Sequence, residues 1–291
     1  MSKTSKSTKV NLILIAAGFV LTAYLVATQI NNGSNENSEK AENQQVEKIE
    51  IPAKIAGRTE QMITHIGYTV SYNSDWKTPN WVAYELTKEE VEGIVPRYNA
   101  FLPDPEVSYE NSATTYDYSN SGWDRGHMAP AADMKWSEQA MKESFFLSNI
   151  CPQNSNLNRG IWNDLEEQVR KLAQQKGKIY VVCGPIISKQ PKTIGTNKVA
   201  IPDAFFKVLL QNTNDNWYAI AFLFANKSGR KLLSTYAMSV EDLQIITDID
   251  FFPALPDDIE QKAESEVDFT KWNITNEQPP KTQSKAQKNK M

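Results

Sequence analysis

The sequence holds only two histidines, His65 and His127, so a reaction that needs a base near neutral pH has few candidates. His127 closes the run Asp124-Arg125-Gly126-His127, where a carboxylate, a guanidinium, a backbone-freeing glycine and an imidazole stand together. A guanidinium fork binds two phosphate oxygens at once, and a neutral imidazole beside it can take a proton from water. The combination suits attack on a phosphodiester, although a surface turn with an ion pair could carry the same residues. His65, in Met62-Ile63-Thr64-His65-Ile66-Gly67 just before an expected strand, reads as structural. Downstream, the stretch from Ser148 to Glu166 is rich in asparagine, with Asn149, Asn154, Asn156, Asn158 and Asn163. Each can cap a helix or shape a turn. An amide oxygen is also a hard ligand suited to Mg²⁺, an ion that keeps most of its waters.

These residues need a scaffold, and the bulk composition allows one. The chain has 291 residues, 40% hydrophobic and 10% aromatic, enough for a real core and against wholesale disorder. Its net charge is −4, unusual for a protein that handles nucleic acid, although a local basic site would suffice. Acidic residues crowd the window from Glu241 to Asp268, which reads as a solvated acidic face. Cys151 and Cys183 lack a CxxC partner and sit in apolar surroundings, so they read as two separate buried thiols.

Along the chain, residues 1–9 form a lysine-bearing start and residues 10–30 an apolar run of membrane-spanning length. The preceding lysines predict an N-terminus on the cytoplasmic side and export of the remainder of the chain. The run reads as an uncleaved anchor, with a cleaved signal peptide as the alternative. An extracytoplasmic, membrane-anchored protein is the resulting expectation. Residues 31–50 read as a flexible linker, 51–272 as the folded domain and 273–291 as a disordered tail.

Within the domain, Gly67–Tyr72, Trp81–Leu86, Phe145–Ile150, Ile179–Val182, Ala204–Leu210 and Trp217–Phe224 predict strands. Ile161, Trp162, Leu165, Val169 and Leu172 recur at helical spacing, and Gly177 is placed to end that helix. Ser239-Val240-Glu241-Asp242 resembles a capped helix start. The pattern predicts an α+β domain with a central, largely antiparallel sheet.

The segments Trp123-Asp124-Arg125-Gly126-His127-Met128-Ala129-Pro130, Leu147-Ser148-Asn149-Ile150 with Pro152-Gln153, and Leu157-Asn158-Arg159-Gly160 with Trp162 and Leu165-Glu166 together resemble the DNA/RNA non-specific endonuclease family and its ββα-metal site. The likeness extends to Tyr72-Asn73 and Trp81-Val82-Ala83-Tyr84. It reaches Asp248-Ile249-Asp250-Phe251-Phe252-Pro253, with Thr247-Asp248 where the family more usually has a glycine. Roughly residues 60 to 272 are covered.

The resemblance implies a sequence-nonspecific endonuclease that hydrolyses DNA and RNA and leaves 5′-phosphate ends. It implies His127 as general base, Asn158 as the ligand of Mg²⁺ or Mn²⁺, and Glu166 as holder of metal-bound water. Arg125 and Arg97 would bind phosphate, Asn149 would support the geometry or a water, and Asp124 would orient the loop. Spacing alone does not bring Asn158 and Glu166 to one ion, since eight helical residues span roughly 12 Å. Two alternatives stay open: a nucleic-acid-binding module without catalysis, and a phosphodiesterase for small esters. The oligomeric state is not readable.

Overall fold

The structure is a computed structural model that describes residues 48–274. The expected basic start and apolar run lie outside the described residues, as do nearly all of the linker and tail. Among the described residues the strands are β1 Gln61–Thr64, β2 Thr69–Asn73, β3 Thr78–Thr87, β4 Asp124–His127, β5 Ile150–Gln153, β6 Lys178–Ile186, β7 Thr193–Ile194, β8 Val199–Ala200, β9 Ala204–Thr213, β10 Asn216–Ala225 and β11 Ala237–Met238. The helices of six residues or more are α1 Glu138–Glu143, α2 Asn163–Lys176, α3 Val240–Thr247 and α4 Asp257–Ser265.

Seven strands form one sheet in the order β1-β2-β3-β6-β9-β10-β11, antiparallel throughout. Alternate residues of a strand face opposite sides. Val82, Tyr84, Val181, Cys183, Phe205, Leu209, Ile220 and Phe222 therefore bury against one layer, together with Leu165, Val169 and Leu172 of α2. Trp81, Ala83, Val182, Phe206, Val208, Ala219 and Ala221 bury on the other, with Val240 and Leu243 of α3 and Ala263 of α4. The central strands are buried on both faces, which is why their sequences read as apolar runs rather than clean alternations.

Local signals set the boundaries. Gly177, at φ 89°, ends α2, and Ser239 caps α3 by accepting from the Asp242 N–H. Asp248 follows α3 at φ 58° and ψ 31°, the left-handed region that glycine adopts most easily. It lies in the Thr247-Asp248 pair where the resemblance described above implies a glycine. The expected strand Phe145–Ile150 is not a strand. Its apolar residues are buried, Phe146 makes only an isolated bridge to Leu102, Leu147–Asn149 form a tight helical turn, and the strand begins at Ile150. Burial, not extended backbone, accounts for that run of Phe145, Phe146 and Leu147. Cys151 and Cys183 are buried and unpaired.

The acidic window also departs from its expected solvation. Glu264 is only 4% exposed and lines a cleft with Glu241, Asp250, Asp257 and Glu260. Burial, and then the charges of Glu260 and Asp250, push its carboxyl up to about 8. Glu260, pushed up to about 7 by burial and by Asp250 and Asp257, behaves alike. A carboxyl with a raised folded-state pKa binds more protons folded than unfolded, so stability is full below the ordinary carboxylate range and lost as pH rises through 7 and 8. The melting temperature is therefore expected to fall by several degrees between pH 5 and pH 8.5, at about 2–4 °C per kcal/mol in a domain of this size. Glu264→Gln is expected to flatten that slope, and an equally steep slope in the variant would refute the assignment.

Candidate active site

β4 and β5 pair as an antiparallel hairpin, with Asp124 opposite Gln153, Gly126 opposite Cys151 and His127 opposite Ile150. Gly126 is required by the close approach of Gln153: a Cβ there would lie 2.2 Å from the Gln153 amide oxygen and 2.6 Å from its Cβ. The turn before β5 is held by Asn149, which is fully buried. Its Oδ1 accepts from Ala129 N at 2.8 Å, and its Nδ2 donates to Ala129 O at 2.9 Å and Ser144 O at 2.8 Å. The Asn149 amide is thus committed to the backbone on either side of the hairpin.

His127 packs edge-on against Phe145, with ring centres 4.9 Å apart, and lies 5.4 Å from Phe101. Its Nε2 is buried and has no protein partner. Burial, and then the nearby positive charge of Arg97, hold the imidazole down to about 3. It is therefore neutral at physiological pH. The Arg97 guanidinium stands 4.9 Å over the same Phe145 ring. Arg125 stacks 5.3 Å from Phe101 and 5.8 Å from Tyr118, and its Nη2 donates to Thr115 O at 3.1 Å. Its Nε is buried without a partner. An imidazole and two guanidinia are thus set on a common aromatic floor.

The second half of the site is the chain entering α2. Asn158–Trp162 forms a π-turn in which Gly160 leaves helical geometry, at φ −114° and ψ −119°. Such bulges redirect a helix locally and recur at functional positions. Just before α2, Asn158 donates through Nδ2 to Asp124 Oδ2 at 3.0 Å. Asp124 also accepts from Ser155 Oγ and, at 2.9 Å each, from Nε and Nη2 of Arg159. Burial alone would raise the Asp124 carboxyl, but the hydrogen bonds from Asn158, Arg159 and Ser155 bring it below the usual range. The clamp directs Nδ2 at Asp124 and leaves Oδ1 as the Asn158 atom available to a cation.

Glu166 lies further along α2, and burial pushes its carboxyl up to about 7, against the opposing pull of Lys207. Asp133 raises it further and Arg170 lowers it. Arg170 is bound at 2.8 Å to Asp133, which also accepts from the Tyr84 hydroxyl at 2.9 Å. Lys207 is fully buried, its ammonium 4.6 Å over the Trp162 ring. Among the described residues, no three His, Cys, Asp or Glu side chains group as a metal cage. One amide oxygen and one half-buried carboxylate fit a hydrated hard cation that takes further oxygens from substrate, and do not fit zinc.

His65 is placed away from this centre. Its Nε2 is 2.9 Å from Asp104 Oδ2, which also accepts from Ser148 Oγ. The structure thus brings His127, Arg125 and Arg97 onto one floor and ties Asn158 to the same hairpin through Asp124. Asn149 lies behind the hairpin. Sequence reading missed Phe101 and Phe145, which look like ordinary core residues. It also missed Arg170, one helical turn after Glu166, and Lys207, whose signal is a cation inside the otherwise apolar Ala204-Phe205-Phe206-Lys207-Val208-Leu209-Leu210.

Fold and site define an α+β protein in which a hairpin and a kinked helix present an imidazole, guanidinia and an oriented carboxamide. Residues 23–258 match the profile of the DNA/RNA non-specific endonucleases, and the chain belongs to that family. It is 39% identical over 207 residues to the mitochondrial nuclease EXOG of Danio rerio, an alignment spanning 66% of this chain and 60% of that one. It is 32% identical over 215 residues to Nuclease C1 of Cunninghamella echinulata, spanning 68% of this chain and 85% of that one. A chain in the crystal structure of the EndoG/EndoGI complex superposes with a TM-score of 0.67 at 28% identity, covering 74% of this chain and 93% of that one. The match to EXOG relatives covers about six-tenths of their length.

The expected extracytoplasmic, membrane-anchored placement is corrected by these relatives. EXOG and endonuclease G are named as mitochondrial nucleases. Among the described residues, no helix is long and apolar enough to cross a membrane. Lysines before an apolar run orient a segment in a membrane but do not specify which membrane or compartment.

The hairpin geometry makes a stability prediction. Gly126→Ala drives a methyl into Gln153 and is expected to cost roughly 1–3 kcal/mol, as overpacking does. A urea melt reads this, and an unshifted midpoint would show that Gln153 gives way freely.

Proposed function

We propose that the protein is a divalent-metal-dependent endonuclease that hydrolyses phosphodiester bonds of DNA and RNA without sequence preference. The observation that carries this reading is His127: a neutral imidazole with an unpartnered Nε2, beside two guanidinia and joined through Asp124 to the Asn158 amide. His127 takes a proton at Nε2 from the attacking water. Arg125 and Arg97 bind the phosphate oxygens and stabilise the charge that grows on them. Asn158 Oδ1 would hold a hydrated Mg²⁺ or Mn²⁺, and Glu166 would hold the water bound to it. When bound, that cation stabilises charge on the phosphate and on the departing 3′ oxygen. Breaking the bond on that side leaves 5′-phosphate ends. Asn149 serves by fixing the hairpin that aims His127. Phosphate contacts of this kind position the chain without carrying sequence information, which supports cleavage without sequence preference.

The test is cleavage of supercoiled plasmid and of RNA by the full chain with Mg²⁺, with EDTA, and with Mg²⁺ after His127→Ala. Cleavage of both polymers is expected only in the first arm, with the histidine variant down by at least about 10²-fold while keeping its circular dichroism. Cleavage in EDTA would remove the metal from the mechanism, and an active His127→Ala protein would remove the base. Binding without cleavage by folded wild-type protein would favour a binding module instead.

Asp124→Ala releases the Asn158 amide without touching the proposed ligand atom. The Mg²⁺ concentration for half-maximal rate is expected to rise about 10–100-fold, as when a ligand loses its orienting partner. An unchanged requirement would show that the clamp is not needed for metal affinity.

A further inference from the structure

The segment between β10 and β11 is not used by the mechanism above, yet it is fastened to the active-site helix. Asn226 is buried, and its Nδ2 donates to Pro152 O at 3.1 Å and Pro202 O at 2.8 Å, while its Oδ1 accepts from Asn154 N at 2.8 Å. Two residues on, Ser228 Oγ accepts from Asn156 Nδ2 at 2.8 Å. Arg230 Nη2 then reaches Asp164 Oδ2 at 2.6 Å. The segment is thus pinned to the residues just before Asn158 and to the first turn of α2 beyond it.

Between and beside these pins stand Lys227, Arg230 and Lys231, all exposed. Arg230 is held by Asp164, but no ion pair within the described residues engages Lys227 or Lys231. Two exposed, unpaired lysines contribute little to folding. Gly229 lies between them, and a Cβ added there would meet nothing within 4 Å, so the face is open. Arg159, with its side chain 75% exposed and fixed on Asp124, belongs to the same stretch of helix entrance.

We propose that residues Asn226–Lys231 form a basic strap that grips the phosphate backbone of the substrate where it passes the entrance to α2. The inference rests on the nuclease reading above and adds Lys227 and Lys231 as positioning residues. The phosphodiester chain is the shared feature of DNA and RNA, so the strap serves both.

The test compares wild type, Lys227→Gln/Lys231→Gln and Lys227→Arg/Lys231→Arg as full chains. Affinity for fluorescently labelled duplex DNA and single-stranded RNA is measured against salt in EDTA, and kcat and KM are measured in Mg²⁺. In the Gln variant both affinities are expected to fall, with the log–log salt slope shallower by about one for each phosphate no longer neutralised. KM is expected to rise while kcat holds, and the Arg variant is expected to recover both. Wild-type affinity and salt slope in the Gln variant would overturn the strap, and loss on only one polymer would overturn its reading as a backbone grip. Wild-type protein that binds but cuts neither polymer would count against the nuclease reading, while the binding arms still decide the strap.

Discussion

One carboxylate joins the two halves of this site. Asp124 sits on the hairpin that carries Arg125 and His127, and it accepts from Asn158, Ser155 and Arg159 at the entrance to α2. Charge-assisted bonds of this kind are short and directional, so the carboxylate fixes orientation as well as distance. Without it the imidazole and the carboxamide would belong to separate pieces of backbone. The hydrogen bonds also keep Asp124 ionised, against the effect of its burial. The same group therefore supplies both the geometry and a negative charge close to where the Asn158 oxygen is presented.

The sheet beneath solves a related problem with buried charge. On the face covered by α2, buried Lys207 and Asp133 stand with the partly buried Glu166 and Arg170, two cations with two carboxyls. Isolated, each would be costly, and as a set they offset one another. The apolar residues of β3, β6 and β9 hold this set dry. Dryness is also what leaves His127 neutral and pushes Glu166 up. The site's acid–base character thus comes from packing that Trp162, Phe145 and Phe101 supply more than from any charged neighbour.

Much of this was legible in the sequence. Five of the seven strands of the central sheet (β2, β3, β6, β9 and β10), α2 with its terminating Gly177, and the Ser239 cap announced themselves through periodicity and end signals, whereas the short edge strands β1 and β11 did not. The run Asp124-Arg125-Gly126-His127 and the asparagine-rich stretch pointed to the family to which the chain belongs. The features that were not legible depend on three-dimensional neighbours. The run Phe145 to Ile150 has a strand's composition because its residues are buried, yet its backbone turns. The aromatic floor under His127 draws on Phe101, Tyr118 and Phe145, which no local pattern connects. Glu264 sits in a stretch that reads as solvated, and only the packing of α4 on α3 and the sheet buries it. Nothing in the residue type at Asp248 signals its left-handed backbone, a conformation that suits glycine best.

The net charge of −4 is the feature of the sequence that fits least with a polyanionic substrate, and the layering of the fold accounts for it. The acidic cleft of Glu241, Asp250, Asp257, Glu260 and Glu264 belongs to α3, α4 and the loop between them, against one face of the sheet. Lys227, Arg230, Arg159 and Arg125 belong to the loop, hairpin and helix start associated with the other. Packed layers are about 10 Å apart, whereas the screening length at physiological ionic strength is about 8 Å. Through the surrounding solvent, charges on the two faces are thus screened from each other. A substrate meets the local surface rather than the sum, so a globally acidic chain can still present a basic track. Separating the two charge sets by a sheet also lets each be as concentrated as it is, since neither is neutralised by the other.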